Sequence, residues 1–155
     1  MRWIPGVLLV LTACAPAYVQ PRPVVYQTDY NSLFRSVVEL IVTSPVERGG
    51  LFSSSRVVFE VDKADERSGL ISAVWVERPA VRVTGTFGTP SSLTIVDSNP
   101  EVRRYVVQFV LKREGRNTSL VYSASSSVGD VRLPNRLVEL VLLRLGDRFK
   151  RVENL

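Results

Sequence analysis

Apolar residues first recur at a helical interval just after Thr28-Asp29, where Tyr30, Leu33, Phe34, Val37, Val38 and Ile41 follow the 3.6-residue period and Asn31, Ser32, Arg35, Ser36 and Glu39 fall opposite. This pattern predicts an amphipathic surface helix with one buried stripe. Thr28 or Asp29 can cap it by accepting a backbone N–H, and Pro45 ends it because its ring disfavours helical geometry in the residue before it. Beyond a turn expected at Gly49-Gly50 the period becomes two: Val57, Phe59 and Val61 alternate with Val58, Glu60 and Asp62. A polar loop from Lys63 to Ser68 leads to a second strand, Leu70 to Glu77, with Gly69 at its start, so the two strands are expected to form a hairpin. From Pro79 to Pro100, Val81, Val83 and Leu93 to Val96 suggest one or two short strands around a loop broken by Gly85, Gly88 and Pro90.

Alternation returns at Val102 to Lys112, with Tyr105, Val107, Phe109 and Leu111 on one side and Arg104, Val106, Gln108, Val110 and Lys112 on the other. Glu114-Gly115-Arg116-Asn117 is a hairpin turn, and Thr118 to Ser127 returns with Leu120, Tyr122 and Ala124 on one face and mostly serine on the other. A sheet with one apolar and one polar face needs only one cover. A second helix, expected to start near Pro134, supplies part of that cover through Val138, Val141, Leu142, Leu145, Phe149 and Val152. Arg136, Glu139, Arg144, Asp147, Arg148 and Arg151 line its solvent side. Leu140 and Leu143 project off the stripe, either under a loop or the first helix, or as a docking patch for a partner. The element order α-β-β-(β)-β-β-α implies an α+β fold, an antiparallel sheet of four or five strands with two helices packed on one face.

The beginning of the chain has a different character. Arg2 precedes an apolar run from Trp3 to Leu11, and Leu11-Thr12-Ala13-Cys14 closes it. The run is interrupted by Pro5, Gly6 and Pro16 and stops at Ala17, short of the roughly 20 apolar residues of a spanning helix. Residues 1–14 resemble the type II signal sequence of bacterial lipoproteins, with Leu11 to Cys14 as the lipobox. The resemblance implies that Cys14 is lipidated and becomes the first residue of the mature protein, and that residues 1–13 are a signal peptide. Acyl chains contribute about 0.8 kcal/mol per buried CH₂, and two of them give stable anchoring where one is marginal. Ala15, in place of Asp, is compatible with export to an outer membrane where such a sorting pathway exists. From Ala15 to Thr28, Pro16, Pro21 and Pro23 among Gln and small residues suggest an extended tether, so the chain divides into signal peptide 1–13, lipidated cysteine and tether 14–28, and a single domain 29–155. The element order and the Asp62 to Gly69-Leu70-Ile71 hairpin are similar to the small helix-on-sheet envelope lipoproteins, such as the accessory lipoproteins of the barrel-assembly machinery.

Chemistry is constrained mainly by what is missing. The chain has no histidine, which removes Ser-His-Asp and Cys-His catalysis, the commonest general base and nearly all zinc sites. The single cysteine is committed to the lipobox. Asp62, Asp65 and Glu66 lack the acidic spacing and internal glycine of a calcium loop, and read as a solvated turn. Lys63, Lys112 and Lys150 have no serine partner at a recognised spacing, and Gly85, Gly88, Ser91 and Ser92 lack the lysine pattern of a phosphate loop. Asn117-Thr118-Ser119 fits a glycosylation sequon but falls in a hairpin of a chain that the lipobox resemblance implies is bacterial, and carries no weight. No metal, no cofactor and no enzymatic activity are expected.

The formal charge is +5 and the pI about 9.8. The basic residues are interspersed with acids and lack aromatic interleaving, which argues against a nucleic-acid partner. Arg103, Arg104, Arg113 and Arg116 are candidates to cluster at one hairpin and contact anionic lipid headgroups or acidic envelope polymers. These features predict a membrane-anchored cell-envelope protein, facing the periplasm or cell exterior, that acts as a noncatalytic protein-binding or scaffold module. The alternative is a carrier or sensor of a small apolar or lipidic ligand held between helices and sheet.

Overall fold

The computed structural model describes residues 22–50, 53–78 and 102–152. Their elements in order are β1 (Val24–Tyr26), α1 (Tyr30–Thr43), β2 (Val46–Gly50), β3 (Ser53–Val57), β4 (Glu60–Asp65), β5 (Leu70–Glu77), β6 (Arg103–Glu114), β7 (Asn117–Ser126), α2 (Arg132–Arg148) and β8 (Arg151–Val152). The fold is α+β. Its main sheet has six strands in the order β4-β5-β6-β7-β1-β8, every neighbouring pair antiparallel, and β2 with β3 forms a separate two-stranded sheet.

Register explains which face is covered. Ile71 lies opposite Phe109, Ala73 opposite Val107 and Trp75 opposite Tyr105, while Leu120, Tyr122 and Ala124 continue the same rows across β7. Because side chains alternate faces along a strand, these residues share the face that meets the helices. Leu33, Phe34, Val37, Leu40 and Ile41 of α1 and Leu133, Leu137, Val138, Val141 and Leu145 of α2 complete one contiguous core with them. The other face carries Ser72, Gln108 and Ser123 in one row, flanked by Leu70, Val110 and Val121 and by Val74, Val106 and Ser125.

Helix α1 begins where expected. Asp29 is its cap, accepting the Ser32 N–H at 2.9 Å, and the helix stops before Ser44-Pro45. Helix α2 starts at Arg132, two residues ahead of the expected Pro134, which sits buried in the first turn where its missing N–H leaves no vacancy. Phe149 is outside the helix as its C-cap and Val152 belongs to β8, so the lower part of the expected stripe is supplied by chain that has already left the helix.

Four expectations change. The sheet has six strands rather than four or five, because the last part of the expected tether, Val24–Tyr26, and the chain after α2, Arg151–Val152, add β1 and β8 beside β7, with Val25 and Tyr26 buried. Gly49 and Gly50 are not a turn but the end of β2, paired with Ser54 and Ser53. The run from Val57 to Asp62 is two strands, broken at Val58-Phe59, where the fully buried Phe59 ring turns into the core. Finally, Lys63, Ala64 and Asp65 extend β4, leaving only Glu66–Gly69 as the turn. The strands expected between Pro79 and Pro100 lie outside the described residues.

Gly69 is fixed by two constraints. Its φ of +73° is in the left-handed region, and a Cβ there would collide with the Leu111 carbonyl oxygen. The Leu111 N–H in turn donates to the Gly69 carbonyl at 2.9 Å. Above this turn the Tyr30 hydroxyl donates to the Glu66 carbonyl at 2.6 Å, which ties the first residue of α1 to the β4–β5 hairpin.

Candidate functional site

The sequence separates two leucines of α2 from its core stripe, and the structure treats them differently. Leu140 is half-buried, whereas Leu143 is 62% exposed. Leu143 stands on the rim of a cleft of about 800 Å³ between the end of α2 and β8, with Gln27, Gly146, Asp147, Lys150 and Arg151 around it. The cleft is built by the chain reversal after α2. The Phe149 N–H donates to the Leu145 carbonyl at 2.8 Å, closing the helix, and the Gln27 N–H donates to the Lys150 carbonyl at 2.9 Å, locking the returning chain onto β1. Arg151 then folds back over the helix, donating to the Leu142 carbonyl and lying 5.9 Å from the centroid of the Tyr26 ring. Gly146 makes room for it, since a Cβ there would stand 3.2 Å from the guanidinium. The result is an apolar side chain flanked by cations at the edge of a sheet.

The four arginines expected together are apart. Arg103 and Arg104 open β6, and Arg113 and Arg116 lie at its far end and in the following turn. Ten residues of extended strand separate Arg103 from Arg113, roughly 33 Å at 3.3 Å per residue, so the four lie at opposite ends of the β6–β7 hairpin and form no single cluster. Arg104 faces Asp62 across the outer side of the sheet at 3.8 Å, and Arg113 lies 4.7 Å from the centre of the Tyr30 ring.

Arg103 instead joins residues that sequence spacing did not associate with it. Arg48 of β2, Arg132 and Arg136 of α2, and Asp130 surround a cavity of about 320 Å³ that Arg103, Tyr105 and Leu133 also line. Arg132 grips Asp130 through two side-chain hydrogen bonds of 3.0 and 2.9 Å, and Asp130 also accepts the Arg132 backbone N–H at 3.1 Å. These bonds hold the Asp130 carboxyl at a pKa of about 2. Arg136 donates to the Glu47 carbonyl at 2.7 Å, and Arg48 pairs with Glu77, which Arg103 approaches at 3.7 Å. The only trace of this arrangement in the sequence is the four-residue interval between Arg132 and Arg136, which places both on one side of a helix.

The acidic residues of the β4–β5 hairpin have separate structural duties. Asp65 accepts the Arg67 N–H at 3.0 Å and the Ser68 hydroxyl at 2.8 Å, bonds that lower its pKa and shape the turn. Asp62 faces Arg104, and Glu66 contributes its carbonyl to Tyr30. Among the described residues no group of three metal-ligating side chains occurs, and no helix is long and apolar enough to cross a membrane. Lys63, Lys112 and Lys150 are exposed. Cys14 and the Gly85 to Ser92 stretch lie outside the described residues.

No protein-family model matches the chain, and no curated protein matches it.

Proposed function

We propose that the protein is a bacterial cell-envelope lipoprotein, anchored through a lipid on Cys14, whose folded domain is a noncatalytic docking module for an envelope protein. The anchor rests on the Leu11-Thr12-Ala13-Cys14 sequence. The observation that carries the docking role is Leu143, 62% exposed at the rim of the α2–β8 cleft. A large apolar side chain held out on a rigid helix, beside a sheet edge and ringed by polar groups, is the usual composition of an interface centre. The half-buried Leu140 would then serve as support rather than contact. The carrier alternative draws less support, because the layer between helices and sheet is filled by Phe59, Phe109, Leu33, Leu120, Leu137 and Leu145, all fully buried.

Two measurements test the parts separately. Radiolabelled palmitate is expected to enter the protein in cells, and Cys14→Ala is expected to abolish labelling; an unlabelled wild-type chain overturns the anchor. A photo-crosslinking residue at position 143 is expected to capture one defined envelope protein, and Leu143→Glu is expected to lose that complex while the domain stays folded. A Leu143→Glu variant that retains it overturns the docking surface.

A further inference from the structure

The cavity at the start of β6 has a charge imbalance that its own ion pairs do not remove. Four guanidiniums, from Arg48, Arg103, Arg132 and Arg136, approach it from three separate elements. Asp130 answers Arg132, and Glu77 is shared between Arg48 and Arg103, the second at 3.7 Å. Arg136 is bonded to the Glu47 carbonyl, which satisfies a donor without neutralising the charge. Among the described residues, two positive charges therefore remain in surplus around this space. Arg48 is additionally held over the Trp75 ring at 5.7 Å, and Trp75 stacks on Tyr105 at 5.2 Å, so one wall is braced by aromatic side chains.

Guanidiniums present rigid planar forks of donors, suited to carboxylate and phosphate oxygens. Forks arriving from several directions with a surplus of two charges fit a tetrahedral dianion with three terminal oxygens better than a planar carboxylate carrying one charge. We infer that the cavity bounded by Arg48, Arg103, Arg132 and Arg136 binds a phosphomonoester group. Its volume of about 320 Å³ is at the small end of ligand pockets, room for a phosphoryl group with a short polyol but not for acyl chains. A soluble phosphorylated metabolite and a lipid headgroup ending in phosphate share this chemistry. Asp130 opposes the incoming dianion and competes for Arg132. The inference is independent of the anchor and of the Leu143 surface.

The test is isothermal titration of the full-length chain with glycerol 3-phosphate and, separately, with dihexanoyl phosphatidic acid kept below its micelle concentration. Saturable one-to-one binding of at least one probe is expected. Arg103→Gln with Arg136→Gln should weaken it about tenfold or more, Arg113→Gln with Arg116→Gln should leave it unchanged, and Asp130→Asn should tighten it severalfold. If the Arg103 and Arg136 variant melts at a lower temperature than wild type, Arg132→Gln, whose side chain is 87% exposed, replaces it. Equal binding of both probes assigns recognition to the phosphate alone; binding of one assigns the site to that source. Failure of both probes, or equal weakening by the Arg113 and Arg116 pair, overturns the site.

Discussion

Tyr26 shows how a single buried atom can work against the fold that surrounds it. The side chain is fully buried, its hydroxyl meets no hydrogen-bond geometry with a partner, and the Arg151 guanidinium lies 5.9 Å from the ring centroid. Burial pushes its pKa up, with the Arg151 charge as a partial offset. Leaving a buried hydroxyl unpaired costs about 1–3 kcal/mol, so Tyr26→Phe is expected to change stability by less than about 1 kcal/mol or to raise it, as read from urea denaturation. A clear loss would mean that the hydroxyl is engaged. Gly69→Ala is expected to act in the other direction and to cost at least about 2 kcal/mol, since left-handed backbone strain and collision with the Leu111 carbonyl add together. At acid pH the carboxylates decide. Hydrogen bonds lower the pKa values of Asp29, Glu39 and Asp65, and that of Asp130 to about 2, below their values in the unfolded chain. The stability they contribute is therefore complete above the ordinary carboxylate range, about pH 5, and is lost as pH falls through the lowered values. Melting temperatures followed by circular dichroism should fall below about pH 4, and Asp65→Asn should make that decline shallower. A melting temperature that rises on acidification contradicts this assignment.

At the scale of elements, helix α2 tests whether its two faces have the roles given to them. Leu137 is fully buried against the sheet, so Leu137→Ala should cost about 2–5 kcal/mol, whereas Leu143→Ala should stay within about 0.5 kcal/mol in the same denaturation series. Comparable losses at both positions would place Leu143 in the core. This helix, α1 and the β6–β7 hairpin were legible in the sequence because each is long enough for its period to repeat, and Gly115, with φ of +64°, marks the turn. Short elements were not. Strand β1 is three residues in a proline-rich stretch, and only the neighbouring β7 and β8 give it a reason to be extended. The break at Val58-Phe59 is equally silent, since alternation continues through it in the sequence while the chain changes sheets. Leu143 was found by the failure of a residue to fit its helix stripe. The arginine cavity was invisible because Arg48, Arg103 and Arg132 are remote in sequence and meet only through the tertiary fold.

For the whole molecule, chain direction links the proposed anchor to the arginine cavity. Val24 pairs with Leu120 and Tyr26 with Thr118, so β1 runs toward the β6–β7 turn and is approached from the end of the sheet that carries Arg103 and the start of α2. Arg48, Arg103, Arg132 and Arg136 gather at that end, so it, rather than the β6–β7 turn, is expected to face an anionic bilayer. Net charge adds to this bias: the formal +5 of the full chain, or +4 once Arg2 leaves with residues 1–13, attracts the protein to anionic surfaces, and the attraction decays over roughly 8 Å at physiological salt. Hydrogen exchange of the lipidated protein on anionic vesicles is expected to slow at Ser126–Leu133 and not at Glu114–Asn117. Raising salt to about 1 M, where the screening length drops to roughly 3 Å, should remove the difference, and vesicles of neutral lipid should not produce it. Slower exchange at Glu114–Asn117 would invert the orientation, and protection unchanged by salt would assign it to contacts other than charge.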